Sequence, residues 1–269
     1  LARTDSGYTL FSGGSAIVSL LVMFPAAFFA GMTLPLFTLA LLRNGGGEQQ
    51  IGRVYAANTL GAIVGVLAMV HLLIPLMGVR LSLILAALAD AALGLYLMRY
   101  VSPGVRTLGY ALAGLATLAF TAFATIWGKH DPRVLAAGVF RTARAVVADG
   151  VQVPYLRDGK TATITASVGG DGTINISTNG KPDASLAPTL KQKPTGDEIT
   201  MIMAGALPLV MHPDPKEVAV IGWGSGLTTH TLLGSPLPER VDTIEIEKGM
   251  YDGARVFGDR VKRAYEDPR

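Results

Sequence analysis

Cysteine is absent from all 269 residues. That excludes disulfides, thiolate metal sites and a cysteine nucleophile. Charge is scarce in the first half. From Leu1 to Gly128 the only charged side chains are Arg3, Asp5, Arg43, Glu48, Arg53, Arg80, Asp90, Arg99 and Arg106. So few charges suit a membrane region, whereas the remainder has ordinary globular polarity. Lys and Arg do not interleave with aromatics and the net charge is a modest +3, so a nucleic-acid partner is not indicated. No initiating Met is present. The chain starts at Leu1 and stops at Arg269, and it is expected to be a piece of a longer protein.

What is there begins with apolar runs. A spanning helix needs about 20 apolar residues, and stretches 14–42, 57–79, 81–99 and 107–128 qualify. No short signal peptide with a cleavage site is evident. Pro25 and Pro35 remove backbone donors, which predicts a kinked or broken first helix. Gly61 and Gly65 stand four apart, a spacing that lets helix backbones approach closely. His71 and Asp90 flank a tight turn near Gly78, Val79 and Arg80, so a hairpin would bring the two together near mid-bilayer.

Loop charges give an orientation. Arg43, Arg53, Arg99 and Arg106 fall on one side; Arg3, Arg80, Lys129, Arg133, Arg141 and Arg144 fall on the other. The richer side, with the polar half of the chain, is placed in the cytoplasm. The expected location is therefore a multi-pass membrane protein of a bacterial inner or plasma membrane, with the lipid bilayer as one partner.

Three parts are expected: a transmembrane helical region over 1–128, a linker and small antiparallel β domain over 129–194, and a partial Rossmann-like α/β domain over 195–269. Residues 133–148 read as a short basic amphipathic helix. Strand-like runs follow at 151–156, 161–168 and 173–177, separated by turns at 157–160, 169–172 and 179–180. Residues 182–194 read as irregular. Thr195 and Glu198 form a capping-box pattern before an apolar helix reaching about Met211.

The stretch VAVIGWGSGLTTH, Val218 to His230, joins an apolar strand to a helix through Gly222, Gly224, Ser225 and Gly226. Glycines permit positive φ and close backbone approach to a ligand, and the helix N-terminus faces whatever sits there. A second strand, 240–246, ends in acid. Glu245, about 20 residues past the turn, can accept both ribose hydroxyls, with Glu247 in reserve. Position 227 is Leu, so the pattern is Gly-x-Gly-x-Gly and not the dinucleotide Gly-x-Gly-x-x-Gly. That suits a class I S-adenosylmethionine-dependent transferase fold. The expected ligand contacts are Gly222, Gly224, Ser225, Gly226 and Glu245.

Three stretches resemble the spermidine synthase (polyamine aminopropyltransferase) family, in its membrane-bound branch with helices fused ahead of the synthase domain. They are Tyr155–Lys160 with Asn179–Lys181; Asp197 and Glu198 through His212 and Pro213 into Gly226; and Thr243–Glu247 through Phe257 to Asp267–Arg269. Gly31–Pro35 and Tyr55–Ala62 also look like that branch. The resemblance implies decarboxylated S-adenosylmethionine, or S-adenosylmethionine itself, as a bound substrate, a small polyamine or amine as its partner, and no metal. A homo-oligomer is compatible with it.

The chain departs from the family pattern. Soluble members carry Asp within the glycine turn, where this chain has Ser225. They carry Gln after the Asn-Gly turn, a substrate-binding position that falls on Asp183 here. They carry a Tyr-Gln or Tyr-His pair where this chain reads Thr200 to Met203, and their catalytic Asp motif would lie beyond Arg269. Two other readings stand beside this one. Ser225 suits a methyltransferase using ordinary S-adenosylmethionine, whose extra carboxylate an Asp would repel. A transporter or sensor would use His71, Asp90 and a broken first helix.

Overall fold

The computed structural model describes residues 4–45, 47–100, 103–128, 131–139 and 144–269. The chain divides into two compact units, Leu1–Ala68 and Met69–Arg269. In the first unit α1 spans Asp5–Arg43 and α2 spans Gln49–Ala68. Thr4 caps α1, its hydroxyl accepting from the Gly7 amide at 3.1 Å.

The break expected in the first helix is absent. Pro25 and Pro35 both lie inside an uninterrupted α1. Each proline removes one hydrogen bond, and the rest of the ladder carries the helix past it. Nor do Gly61 and Gly65 mark a tight crossing: a Cβ on either would meet no atom within 4 Å.

The second unit opens with a π-helical turn, Met69–Leu73, and α3, Ile74–Leu97. In place of the turn expected near Gly78 there is a one-residue break inside α3, and the two spans expected over 57–79 and 81–99 fall in one helical run, Gln49–Tyr100. Gly78 leaves the helix at φ 76, ψ 169, and the helix resumes at Val79. A 3-10 turn, Met98–Tyr100, leads to α4, Pro103–Ile126. Helical runs Asp5–Arg43, Gln49–Tyr100 and Arg106–Ile126 are long and apolar enough to cross a membrane, by length and composition. His71 and Asp90 do not meet. Both are exposed, and among the described residues neither side chain makes a hydrogen bond or ion pair. The π turn and the Gly78 break change the rotational phase of α3, so equal sequence distance from the turn does not bring the two side chains together.

Arg3, Lys129 and Arg141 of the loop-charge pattern lie outside the described residues. The basic helix expected over 133–148 is not one helix. α5, Pro132–Leu135, forms at its start, capped by Asp131; the helix stops before 136–138, Val139 is helical again, and 144–148 are not helical, while residues 140–143 lie outside the described residues. Gly138, at φ 56, departs from helical backbone at the point where α5 ends.

Four antiparallel strands follow in meander order: β1 Gln152–Asp158, β2 Thr163–Val168, β3 Ile174–Thr178 and β4 Lys181–Leu186. β4 occupies residues read from sequence as irregular. Pro182 weakens the strand signal, yet the Asn179–Gly180 turn, both residues at positive φ, folds the chain straight back onto β3. Next come α6, Gly196–Met211; β5, Glu217–Ile221; α7, Leu227–Leu232; and β6, Arg240–Ile244, parallel to β5. Then α8, Lys248–Gly253, a 3-10 segment, Ala254–Val261, and α9, Lys262–Glu266, close the described chain.

The core of this unit lies between the antiparallel sheet and the glycine turn. Period-two alternation puts Ile164, Ile176, Ala184 and Leu186 on one sheet face. They pack with Trp223, Leu227, Met250, Ala254, Phe257 and Val261. Burying each large apolar side chain contributes roughly 1.5–3 kcal/mol.

Candidate functional site

β5 and β6 pair from Glu217 with Arg240 to Ile221 with Ile244, and the ladder extends one step further as the Gly222 amide donates to the Ile244 carbonyl at 2.8 Å. The chain then turns through Gly222, Gly224 and Gly226, at φ 93, 55 and 83. Side chains avoid this region, so the path requires glycine. The three differ in surroundings. A Cβ on Gly226 would press against the Trp223 indole at 3.1–3.3 Å, whereas one on Gly222 or Gly224 would meet nothing within 4 Å. Gly226 serves internal packing; Gly222 and Gly224 border open space at the carboxyl ends of the two strands, the crevice where open α/β sheets bind ligands.

Glu245 stands one residue past β6. Its Oε2 accepts from the Trp223 amide and its Oε1 from the Glu247 amide, each at 2.8 Å. The carboxylate thus braces the turn and joins it to the start of α8. A carboxylate has about four lone-pair positions, so two amides leave acceptor capacity for hydroxyl groups.

Glu247 has a different task from that of a reserve ribose ligand. It is buried, caps α8 through the Gly249 amide at 3.1 Å, and accepts from the amide and hydroxyl of Thr161 at 2.9 and 3.0 Å. Burial raises its pKa, but hydrogen bonds from Thr161 and Gly249 outweigh that and hold the carboxyl below its ordinary value. Glu247 therefore ties the β1–β2 hairpin to the acidic strand end.

Ser225 is fully buried. Its hydroxyl lies 3.1 Å from the Met201 Sδ and 3.2 Å from the Leu227 amide, which donates to it. The side chain that distinguishes this turn from the family pattern points inward, against α6. Asp183 is exposed on β4, at a register shift: Ala184 pairs with Ile176 and Pro182 with Ser177, leaving Asp183 without an opposing residue. No hydrogen bond joins it to the turn among the described residues. The structure thus brings Gly222, Gly224, Ser225, Gly226 and Glu245 together and leaves Asp183 apart from them.

Behind the turn, Trp223 meets Tyr251 edge-on at 4.7 Å and Tyr265 at 5.0 Å, and the Arg255 guanidinium lies 4.5 Å from the Tyr265 ring centre. Burial pushes the Tyr265 hydroxyl up to about 12, and it donates to the Tyr251 carbonyl at 2.7 Å. This aromatic cluster gives the turn a rigid floor.

Thr195 caps α6, accepting from the Glu198 amide at 3.0 Å, but the reciprocal half of the capping box is missing. Glu198 instead turns inward, accepts from the Ala187 amide at 3.1 Å and pairs with Arg260, which also donates to the Ala187 carbonyl. The half-buried cation draws the buried carboxylate away from its own helix terminus, because an unpaired buried charge costs more than an unmade cap. Thr161 and Arg260 had no signal in the sequence; both act through carboxylates distant along the chain.

The parallel strand, glycine turn, helix and acidic strand end define an α/β unit of the kind that binds nucleotide-like ligands. The family model described as spermine/spermidine synthase domain matches residues 199–269. Over that stretch the chain is similar to the spermine/spermidine synthase domain. It is 42% identical over 64 residues to polyamine aminopropyltransferase of Nitrosomonas europaea, a match covering 23% of this chain and 20% of that protein. It is 35% identical over 63 residues to spermidine synthase of Dictyostelium discoideum (23% and 22%) and 38% identical over 63 residues to putrescine N-methyltransferase 2 of Nicotiana tabacum (23% and 18%). A solved spermidine synthase from Thermotoga maritima aligns with a TM-score of 0.37 and 23% identity, covering 44% of this chain and 39% of that one. The chain thus spans about a fifth of the length of the curated relatives it matches.

Proposed function

We propose that the chain belongs to a membrane-anchored, spermidine synthase-like aminopropyltransferase. Residues 1–128 would form the membrane region, 129–194 the linker and β domain, and 195–269 a partial Rossmann-like domain on the cytoplasmic side. The bound substrate would be decarboxylated S-adenosylmethionine and the acceptor a polyamine. Gly222 and Gly224 would lie against the ligand, with Glu245 accepting from its ribose hydroxyls, Gly226 and Ser225 shaping the turn from behind, and Asp183 on the acceptor side. The observation that carries this reading is the open face of Gly222 and Gly224 beside a carboxylate already fixed at the strand end.

In the transfer, the acceptor nitrogen forms a bond to the carbon next to the sulfonium, the carbon–sulfur bond breaks with its electrons passing to sulfur, and the amine loses a proton. Such a step depends on orientation and a carboxylate base, and none of the described carboxylates is assigned that proton. A second reading is a methyltransferase of the same fold. It is supported by putrescine N-methyltransferases among the relatives and by a turn whose position 225 holds no acid, since Ser225 stands there and faces Met201.

Titration calorimetry of the full-length protein with both sulfonium compounds separates the two. Tighter binding of the decarboxylated form supports aminopropyl transfer. Preference for the carboxylated form removes that reading and leaves the methyltransferase.

A further inference from the structure

The hydrogen bonds around the glycine turn continue to the apolar helices. Where α3 breaks at Gly78, the resumed helix leaves its first amides without intrahelical partners. The acceptor for the Val79 amide comes from 79 residues along the chain: Asp158 Oδ2, at 2.9 Å. Its other oxygen accepts from the Thr163 hydroxyl at 2.7 Å, fixing the carboxylate across the β1–β2 hairpin. The approach is close, since a Cβ on Gly78 would sit 3.0 Å from that Oδ2. Beside it Arg80 donates to the Ala124 and Thr125 carbonyls at 2.9 and 2.8 Å, holding the same end of α3 to the end of α4.

The far side of that hairpin grips Glu247. Thr161 supplies two hydrogen bonds, and a Cβ on Gly159 would collide with the Glu247 carboxyl, so a larger residue there would push that carboxylate aside. Glu247 donates its amide to Glu245, and Glu245 accepts from Trp223 inside the turn. Three carboxylates, Asp158, Glu247 and Glu245, therefore stand in series between a helix break and the ligand turn, each receiving backbone amides.

We propose that Asp158 is a positioning residue that couples the α3 break to the glycine turn, so that the apolar helix pair helps set ligand affinity as well as holding the domain in place. Charge-assisted bonds to backbone amides are short and directional, and a shift of Val79 is passed to the hairpin and so to Glu247. The functional meaning rests on reading the turn as an adenosyl-ligand site; the coupling itself does not.

The test uses hydrogen exchange on the full-length protein in a bilayer mimic, without ligand, together with calorimetric titration of decarboxylated S-adenosylmethionine. Asp158→Ala removes the acceptor. Val79→Pro removes the donor at a position where proline suits the first helical turn. Both should speed exchange at residues 222–226 and at Thr161, leave α6 protected, and weaken binding roughly five- to tenfold. Asp158→Asn should restore most of the wild-type behaviour, because its amide oxygen accepts the same bond. Unchanged exchange at 222–226 in both variants overturns the coupling, and so does a uniform loss of protection across 152–269, which would mark Asp158 as a general stability residue. If the wild type does not bind the sulfonium compound, the ligand reading fails while the exchange result still decides the coupling.

Discussion

Gly224 and Glu247 show how differently two residues of one short motif can act. Gly224 adopts φ 55 with open space where a Cβ would be. Gly224→Val should cut adenosyl-ligand affinity at least tenfold by filling that space, and strain the turn by about 1–3 kcal/mol; calorimetry and a thermal melt read the two effects separately. Glu247 should make stability acid-sensitive. Its carboxyl is held below the ordinary glutamate value of 4.5, so its contribution is present above that pH and is lost as pH falls through the lowered native value. Glu247→Gln should flatten that part of the stability–pH profile; an unchanged profile would show that the carboxylate is not the responsive group.

Among elements, the α6 terminus and the 3-10 segment are joined by Glu198 and Arg260, whose side chains are 4% and 11% exposed. Arg260→Ala leaves a buried carboxylate uncompensated and should destabilise the unit by about 3–5 kcal/mol, whereas a double change to apolar residues should recover much of the loss. Equal melting temperatures for the single and double variants would contradict this. The same scale shows what the sequence made legible. β5, the glycine turn, α7 and β6 could be read from the chain because each depends on local chemistry: an apolar run, three positive-φ glycines and an acid past a strand. The α6 start was half legible, since Thr195 caps locally but Glu198 answers to Arg260, 62 residues away. Strand β4 is not legible in the sequence because its pairing is imposed by the Asn179–Gly180 turn against the weak signal of Pro182. The inward path of Ser225 was invisible, since nothing in the sequence places Met201 behind it.

Within the second unit, α3 is linked to α4, to the β1–β2 hairpin and through it to the glycine turn by residues that no local pattern marks. The absence of cysteine makes the proposed topology directly testable. A single cysteine introduced at exposed Leu237 should react with a membrane-impermeant maleimide only from the cytoplasmic face of oriented vesicles. Labelling from the opposite face would invert the proposed orientation.

The central claim is that the turn from Gly222 to Gly226, with Glu245, holds an adenosyl ligand. Calorimetric titration of decarboxylated S-adenosylmethionine into the full-length wild type and the Gly224→Val variant measures it. Saturable one-site binding to the wild type and its loss in the variant are expected. Equal affinity in both proteins would place any ligand elsewhere and leave the glycine turn with a structural task alone.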